Sequence, residues 1–126
     1  MKGLSILIID DVPFMRQFIR GCLHMSFPDC RTDEAGTGTS AREKMELGSF
    51  DIVLCDWELP DVKGHELLMW LRSESNTKST PFIMVTGNNT KEHIVKAREL
   101  GVTDYIIKPV NCSSLEKKII AALKPV

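Results

Sequence analysis

The chain has 126 residues, 43% of them apolar and 26% charged, with a formal net charge of -1. That length makes one domain with a sizeable core, and the near-zero charge argues against direct nucleic-acid binding, which needs a strongly basic face. No apolar run approaches the roughly 20 residues that span a bilayer. "MKGLSILIIDD" is a better first strand than a leader, because two aspartates directly follow its apolar segment. Cys22, Cys30, Cys55 and Cys112 show neither CxxC nor metal-ligand spacing. The expectation is reduced thiols in a cytoplasmic protein without membrane insertion.

The first strand is predicted over 4–9, "LSILII". A helix follows, with Pro13 in its first turn, where a missing N–H matters least. It carries Phe14, Phe18 and Cys22 at four-residue steps, and Ile19 and Leu23 on the adjoining row. A weak strand, "CRTDEA" (30–35), precedes a helix with Ser40 and Glu43 in capping-box relation and Ala41 and Met45 on one face. "DIVLC" (51–55) is the third strand, and the helix from about Gly64 turns Leu67, Leu68 and Leu71 inward. "PFIMVT" (81–86) leads to a helix starting near Asn89, with Glu92 three residues on, and stopping at Gly101, suited to a left-handed cap. "DYII" (104–107) is followed by a helix after Asn111 with Leu115, Ile119, Ile120 and Leu123 on one stripe.

Five strand–helix units in alternation predict an α/β, doubly wound, parallel sheet with helices on both faces. The middle runs are apolar without alternation, as strands buried on both faces require. In such a sheet ligands bind beyond the carboxyl ends of the strands. Those ends carry Asp10 and Asp11, Asp56, Thr86, and Lys108 before Pro109. Three clustered carboxylates repel one another unless cations join them. Lys108 supplies one charge, and an oxygen-only ligand set favours Mg2+ over zinc for the rest, with Mn2+ as the alternative ion. Taken alone, Asp11 is as well explained as a helix cap; the joint placement at four of five strand ends carries the functional reading.

With these residues in place, the sequence resembles the response-regulator receiver domain. The match runs from "ILIIDD" through "DIVLCDWELPDVKG" and "PFIMVTG" to "DYIIKP". The resemblance implies a flavodoxin-like, three-layer α/β/α fold with five helices, strand order 2-1-3-4-5, and a single receiver domain over 1–126 with no output domain. It also implies that Asp56 accepts a phosphoryl group from a histidine kinase or histidine phosphotransfer protein. Asp11, Asp56 and the backbone carbonyl of Glu58 would ligate Mg2+, with Asp10 acting through water. Lys108 and Thr86 would contact the phosphoryl oxygens, and Tyr105 would be the aromatic switch residue. The Lys108–Pro109 bond would be cis. A downstream protein target, unidentified, would read the helix 4–strand 5–helix 5 surface, and the chain would be a phosphoacceptor rather than an enzyme.

Gly87 stands where the family usually has alanine, and Lys63 where an Asp or Asn often precedes the glycine of the third loop, a position outside the expected chemistry. Glu58 and Asn88 would flank the water that removes the phosphoryl group. Trp57 is expected to be semi-exposed, Trp70 packed or partly exposed, Cys55 buried, and His24, His65 and His93 surface or packing residues. "KEHIVKAREL" reads as a solvated helix face that also belongs to the expected output surface. Three alternatives are weaker. A Mg2+-dependent phosphohydrolase with an Asp nucleophile wants a second Asp two residues on, where Glu58 and Val12 stand. An FMN-binding module wants a phosphate loop after the first strand, whereas "GTGTS" follows the second. A receiver that signals without phosphorylation would not need the intact acidic, Thr and Lys set.

Overall fold

The computed structural model describes residues 3–87 and 90–124. Five strands, β1 (Ser5–Ile9), β2 (Arg31–Ala35), β3 (Ile52–Cys55), β4 (Phe82–Thr86) and β5 (Asp104–Ile107), alternate with five helices. These are α1 (Pro13–Ser26), α2 (Gly38–Leu47), α3 (Gly64–Ser73), α4 (Lys91–Glu99) and α5 (Cys112–Leu123). All strand pairs are parallel, in the order β2-β1-β3-β4-β5. This is the doubly wound α/β fold and the strand order that the resemblance implied.

The burial of each strand follows its place in that order. β3 and β4, covered on both faces, are buried throughout. β2 lies at an edge, and only Ala35 among its residues is fully buried, which explains why "RTDEA" is so weak a strand signal. One face of the sheet packs Ile6, Ile8, Leu54 and Ile83 against Ile19, Cys22 and Leu23 of α1 and Leu115 and Ile119 of α5. The other packs Leu7, Val53, Phe82 and Met84 against Ala41, Leu67, Leu68, Leu71 and Ala97 from α2, α3 and α4. Leu67, Leu68 and Leu71 are almost wholly buried, as predicted, each contributing about 1.5–3 kcal/mol by leaving water.

Several local expectations are corrected. Cys22 and Cys112 form a disulfide with a Cα–Cα distance of 5.2 Å, so only Cys30 and Cys55 are the expected reduced thiols. The two half-cystines are 90 residues apart; only the packing of α1 beside α5 brings them together, and linear spacing carries no trace of it. Phe14 and Phe18 face outward, 75% and 42% exposed. The covered stripe of α1 is Met15, Ile19 and Leu23, one residue on from the phenylalanine row, joined by Cys22 at the end of that row. The N-cap of α2 is Thr37, whose Oγ1 accepts the Ser40 N–H at 3.0 Å, so the Ser40–Glu43 pair lies inside the helix. α4 starts after an N-cap at Thr90, and Asn89 lies outside the described residues. Gly101 does adopt the left-handed conformation, with φ 90°. Among the described residues, no helix is long and apolar enough to cross a membrane.

Candidate functional site

The site grows out of the ends of β1, β3, β4 and β5. Parallel pairing sets β1 and β3 level: the Asp10 N–H donates to the Ala35 carbonyl and the Asp56 N–H to the Ile9 carbonyl, at 3.0 and 2.9 Å. The two aspartates therefore leave the sheet together, Asp10 2% and Asp56 8% exposed. Exposed Asp11 completes the group, and one carboxylate oxygen from each of the three lies within 4.8 Å of the others. β5 ends in Lys108, whose N–H donates to the Thr86 carbonyl at 2.9 Å. From there its Nζ donates to Asp10 Oδ2 at 2.9 Å and to Asp56 Oδ2 at 2.8 Å. The Lys108–Pro109 bond is cis, as the resemblance implied.

Electrostatics in this pocket are set by burial against pairing. Burial pushes the Asp10 carboxyl up, and the Val12 N–H and Lys108 only partly offset it, so its pKa is raised. For Lys108 burial pulls the other way, but hydrogen bonds and charge from Asp56 and Asp10 outweigh it and raise its pKa. One ammonium thus pairs with two of the three clustered carboxylates. The donor set is all oxygen and carries excess negative charge, which fits a hard divalent cation such as Mg2+.

Neighbouring groups bond to the acids and to their backbone. The Asp10 carbonyl accepts from Arg16 Nη1 at 2.5 Å, and Arg16 also pairs with Glu34. The Asp56 carboxylate accepts the Glu58 N–H at 3.3 Å. Gly64 is required by contact: a Cβ there would lie 2.3 Å from the Asp56 carbonyl oxygen. Asp61 ties the β3–α3 loop to the start of α2 by accepting from the Gly38 N–H, the Thr39 N–H and the Thr39 hydroxyl. Slight burial would raise its pKa, yet these bonds hold it at about 2.

Thr86 is buried at the end of β4. Half-buried Tyr105 lies on β5, its pKa raised by burial and then by the Asp56 charge. At Gly87, directly after Thr86, a Cβ would meet nothing within 4 Å. Asn88 lies outside the described residues.

Lys63 is nearer the site than expected, bridging to the Glu58 backbone and pairing with its carboxylate at 2.5 Å. Trp57 is only 3% exposed, not semi-exposed. It is covered by His65 from α3 and His93 from α4, with ring centroids 4.8 and 4.6 Å away. The His65 pKa is lowered, first by burial and then by Lys96. Arg16, Asp61, His65 and His93 were not singled out as site supports. Only the glycine of "DVKG" hinted at the close approach of this loop.

Comparison with known proteins agrees with this geometry. A family model described as "Response regulator receiver domain" matches residues 6–120. The chain is 34% identical to the chemotaxis protein CheY-3 of Vibrio cholerae serotype O1, covering 94% of this chain and 90% of that one. It is 35% identical to the chemotaxis protein CheY of Pseudomonas aeruginosa, covering 92% and 93%. Among solved structures, a CheY-like receiver domain protein from Methanospirillum hungatei superimposes with a TM-score of 0.88 at 31% identity, covering 97% and 94%. The chemotaxis response regulator CheY4 of Vibrio cholerae gives 0.89 at 26% identity, covering 97% and 100%.

Proposed function

The chain belongs to the response-regulator receiver family of two-component signalling, and on that premise we propose that Asp56 accepts a phosphoryl group from a phosphohistidine donor. The observation that carries this reading is the gathering of the Asp10, Asp11 and Asp56 carboxylates within 4.8 Å, with Lys108 bonded to two of them. In this reading residues 1–126 form one receiver domain in the cytoplasm, promoting only its own phosphorylation and dephosphorylation.

Asp11, Asp56 and the Glu58 carbonyl would hold Mg2+ directly, and Asp10 through water. Bound there, the ion supplies positive charge to the equatorial phosphoryl oxygens. An Asp56 carboxylate oxygen attacks phosphorus; the O–P bond forms as the donor's P–N bond breaks and the imidazole departs. Lys108 already touches the Asp56 carboxylate, so its ammonium is placed to neutralise the incoming oxygens. Gly87 leaves room beside the new group, and the Thr86 hydroxyl turns towards it. The change is signalled through Tyr105 to the surface of α4, β5 and α5. Hydrogen bonds to charged groups contribute roughly 1.5–3 kcal/mol each. Two or three of them approach the about 5.5 kcal/mol that converts a 1:99 equilibrium to 99:1.

The test is incubation with Mg2+ and acetyl phosphate, read by intact mass. The expected result is a single metal-dependent phosphoryl adduct on the wild-type chain, absent from Asp56→Asn. An adduct retained by that variant, or none on the wild type, contradicts the assignment.

A further inference from the structure

The Cys22–Cys112 disulfide lies a short way along the chain from the site's lysine. Lys108, whose Nζ bonds Asp10 and Asp56, is followed by Pro109, by buried Val110, by Asn111 and then by Cys112. Asn111 caps α5 through its side chain, accepting the Ser114 N–H at 3.1 Å. Cys112 is the first residue of α5 and is partly exposed, whereas Cys22 on α1 is 2% exposed. The bond therefore anchors the segment that carries the site's cation to a helix on the far side of 90 residues of chain. Cys30 sits on the same face of the sheet, 3.7 Å from His24 Nδ1, and Cys55 on the other.

Resting on the receiver reading for its functional consequence, we propose that Cys22 and Cys112 form a redox-responsive staple that sets how firmly the Lys108 segment is held. The two sulfurs divide the chemistry by position. Cys112 is the more accessible sulfur and the point of entry, and Cys22 is the buried resolving thiol. Oxidised glutathione is the oxidant class. The Cys112 thiolate attacks it, forming a mixed disulfide and releasing one glutathione thiolate. The Cys22 thiolate then attacks Cys112 Sγ, closing the bond and releasing the second. Two thiols lose two protons and two electrons, and the glutathione disulfide is reduced to two thiols. Reduction runs the same steps backwards, entering at Cys112. In the oxidised chain Lys108 is held where it bonds both acids. In the reduced chain the 108–112 segment keeps its packing through Val110 but loses its covalent tether.

The experiment compares the full chain in reduced and oxidised glutathione buffers. Alkylation in denaturant after an acid quench counts thiols by mass, hydrogen exchange reads residues 108–115, and acetyl phosphate with Mg2+ reads phosphoryl uptake. The expected result is four alkylated cysteines in the reduced chain and two in the oxidised one. Oxidation slows exchange across 108–115, raises the thermal midpoint by roughly 10 °C, and speeds uptake roughly threefold. Cys112→Ala shows the reduced chain's exchange and uptake in both buffers, Cys22→Ala stops in the oxidised buffer at a Cys112–glutathione mixed disulfide and lacks the slowed exchange, and Cys55→Ala keeps the wild-type response. Four alkylated cysteines in every buffer, or identical exchange across 108–115 in the two states, overturns the proposal. If uptake is absent in both states while the exchange difference remains, the staple stands and the phosphoacceptor reading falls.

Discussion

Lys108 and Arg72 are both partly buried cations placed at opposite ends of the sheet, and their partners differ in kind. Arg72, on α3 at the amino ends of β4 and β5, donates to the carbonyls of Gly101, Lys78 and Thr80 and reaches the Thr103 hydroxyl. All are neutral acceptors, and burial lowers the pKa of the guanidinium. Lys108 faces carboxylates, which outweigh burial and raise its pKa. At the Arg72 end, loop carbonyls turn inward to satisfy one fixed charge. At the Lys108 end, three acids gather and one ammonium pairs with two of them, which leaves negative charge over. The first arrangement closes the fold, and the second leaves acidic charge that would suit a cation.

Removing Arg72 should have the largest effect on stability. Arg72→Ala leaves several carbonyls without a donor and should cost about 2–3 kcal/mol in urea unfolding, with Mg2+ binding unchanged. Equal loss of metal affinity would erase the distinction between the two ends. Asp10→Asn should act in the opposite sense. Burial disfavours the Asp10 charge more than Lys108 compensates, as its raised pKa implies, so in metal-free buffer the variant should be more stable than the wild type. It should also bind Mg2+ more weakly. A destabilised, metal-free Asp10→Asn chain would mean that the acid end is built for stability after all.

Asp61 gives the smallest and most pH-specific effect. Its folded pKa of about 2 lies below the ordinary aspartate value, so its contribution is present above about pH 3.9 and lost as pH falls towards 2. Asp61→Asn should cost about 1 kcal/mol at neutral pH, as loss of a helix cap does. Acid titration of the two chains should show that difference shrinking between pH 4 and 2; a constant difference contradicts it.

The fold was legible in the sequence because its signals are local. Apolar runs such as "DIVLC" and "PFIMVT" mark strands covered on both faces, and helical spacing marks Leu67, Leu68 and Leu71. The site was legible because a parallel sheet delivers every strand's carboxyl end to one edge, so Asp10, Asp56 and Lys108 could be placed together from strand ends alone. Adjacency created by packing was hidden. The partnership of Cys22 and Cys112 depends on α1 lying against α5. The burial of Trp57 depends on two histidines from different helices. The exposure of Phe14 and Phe18 was hidden too, because periodicity defines rows on a helix without saying which row is covered.

The central claim is that the edge holding Asp10, Asp11 and Asp56 carries more negative charge than Lys108 neutralises and would take a divalent ion there. Thermal unfolding across a Mg2+ titration tests it directly, because a ligand of the folded state stabilises by RT ln(1 + [L]/Kd). The wild-type midpoint should rise progressively with Mg2+, and that rise should vanish in Asp11→Asn, whose exposed side chain leaves the fold intact. An equal rise in both chains, or none in the wild type, would contradict it.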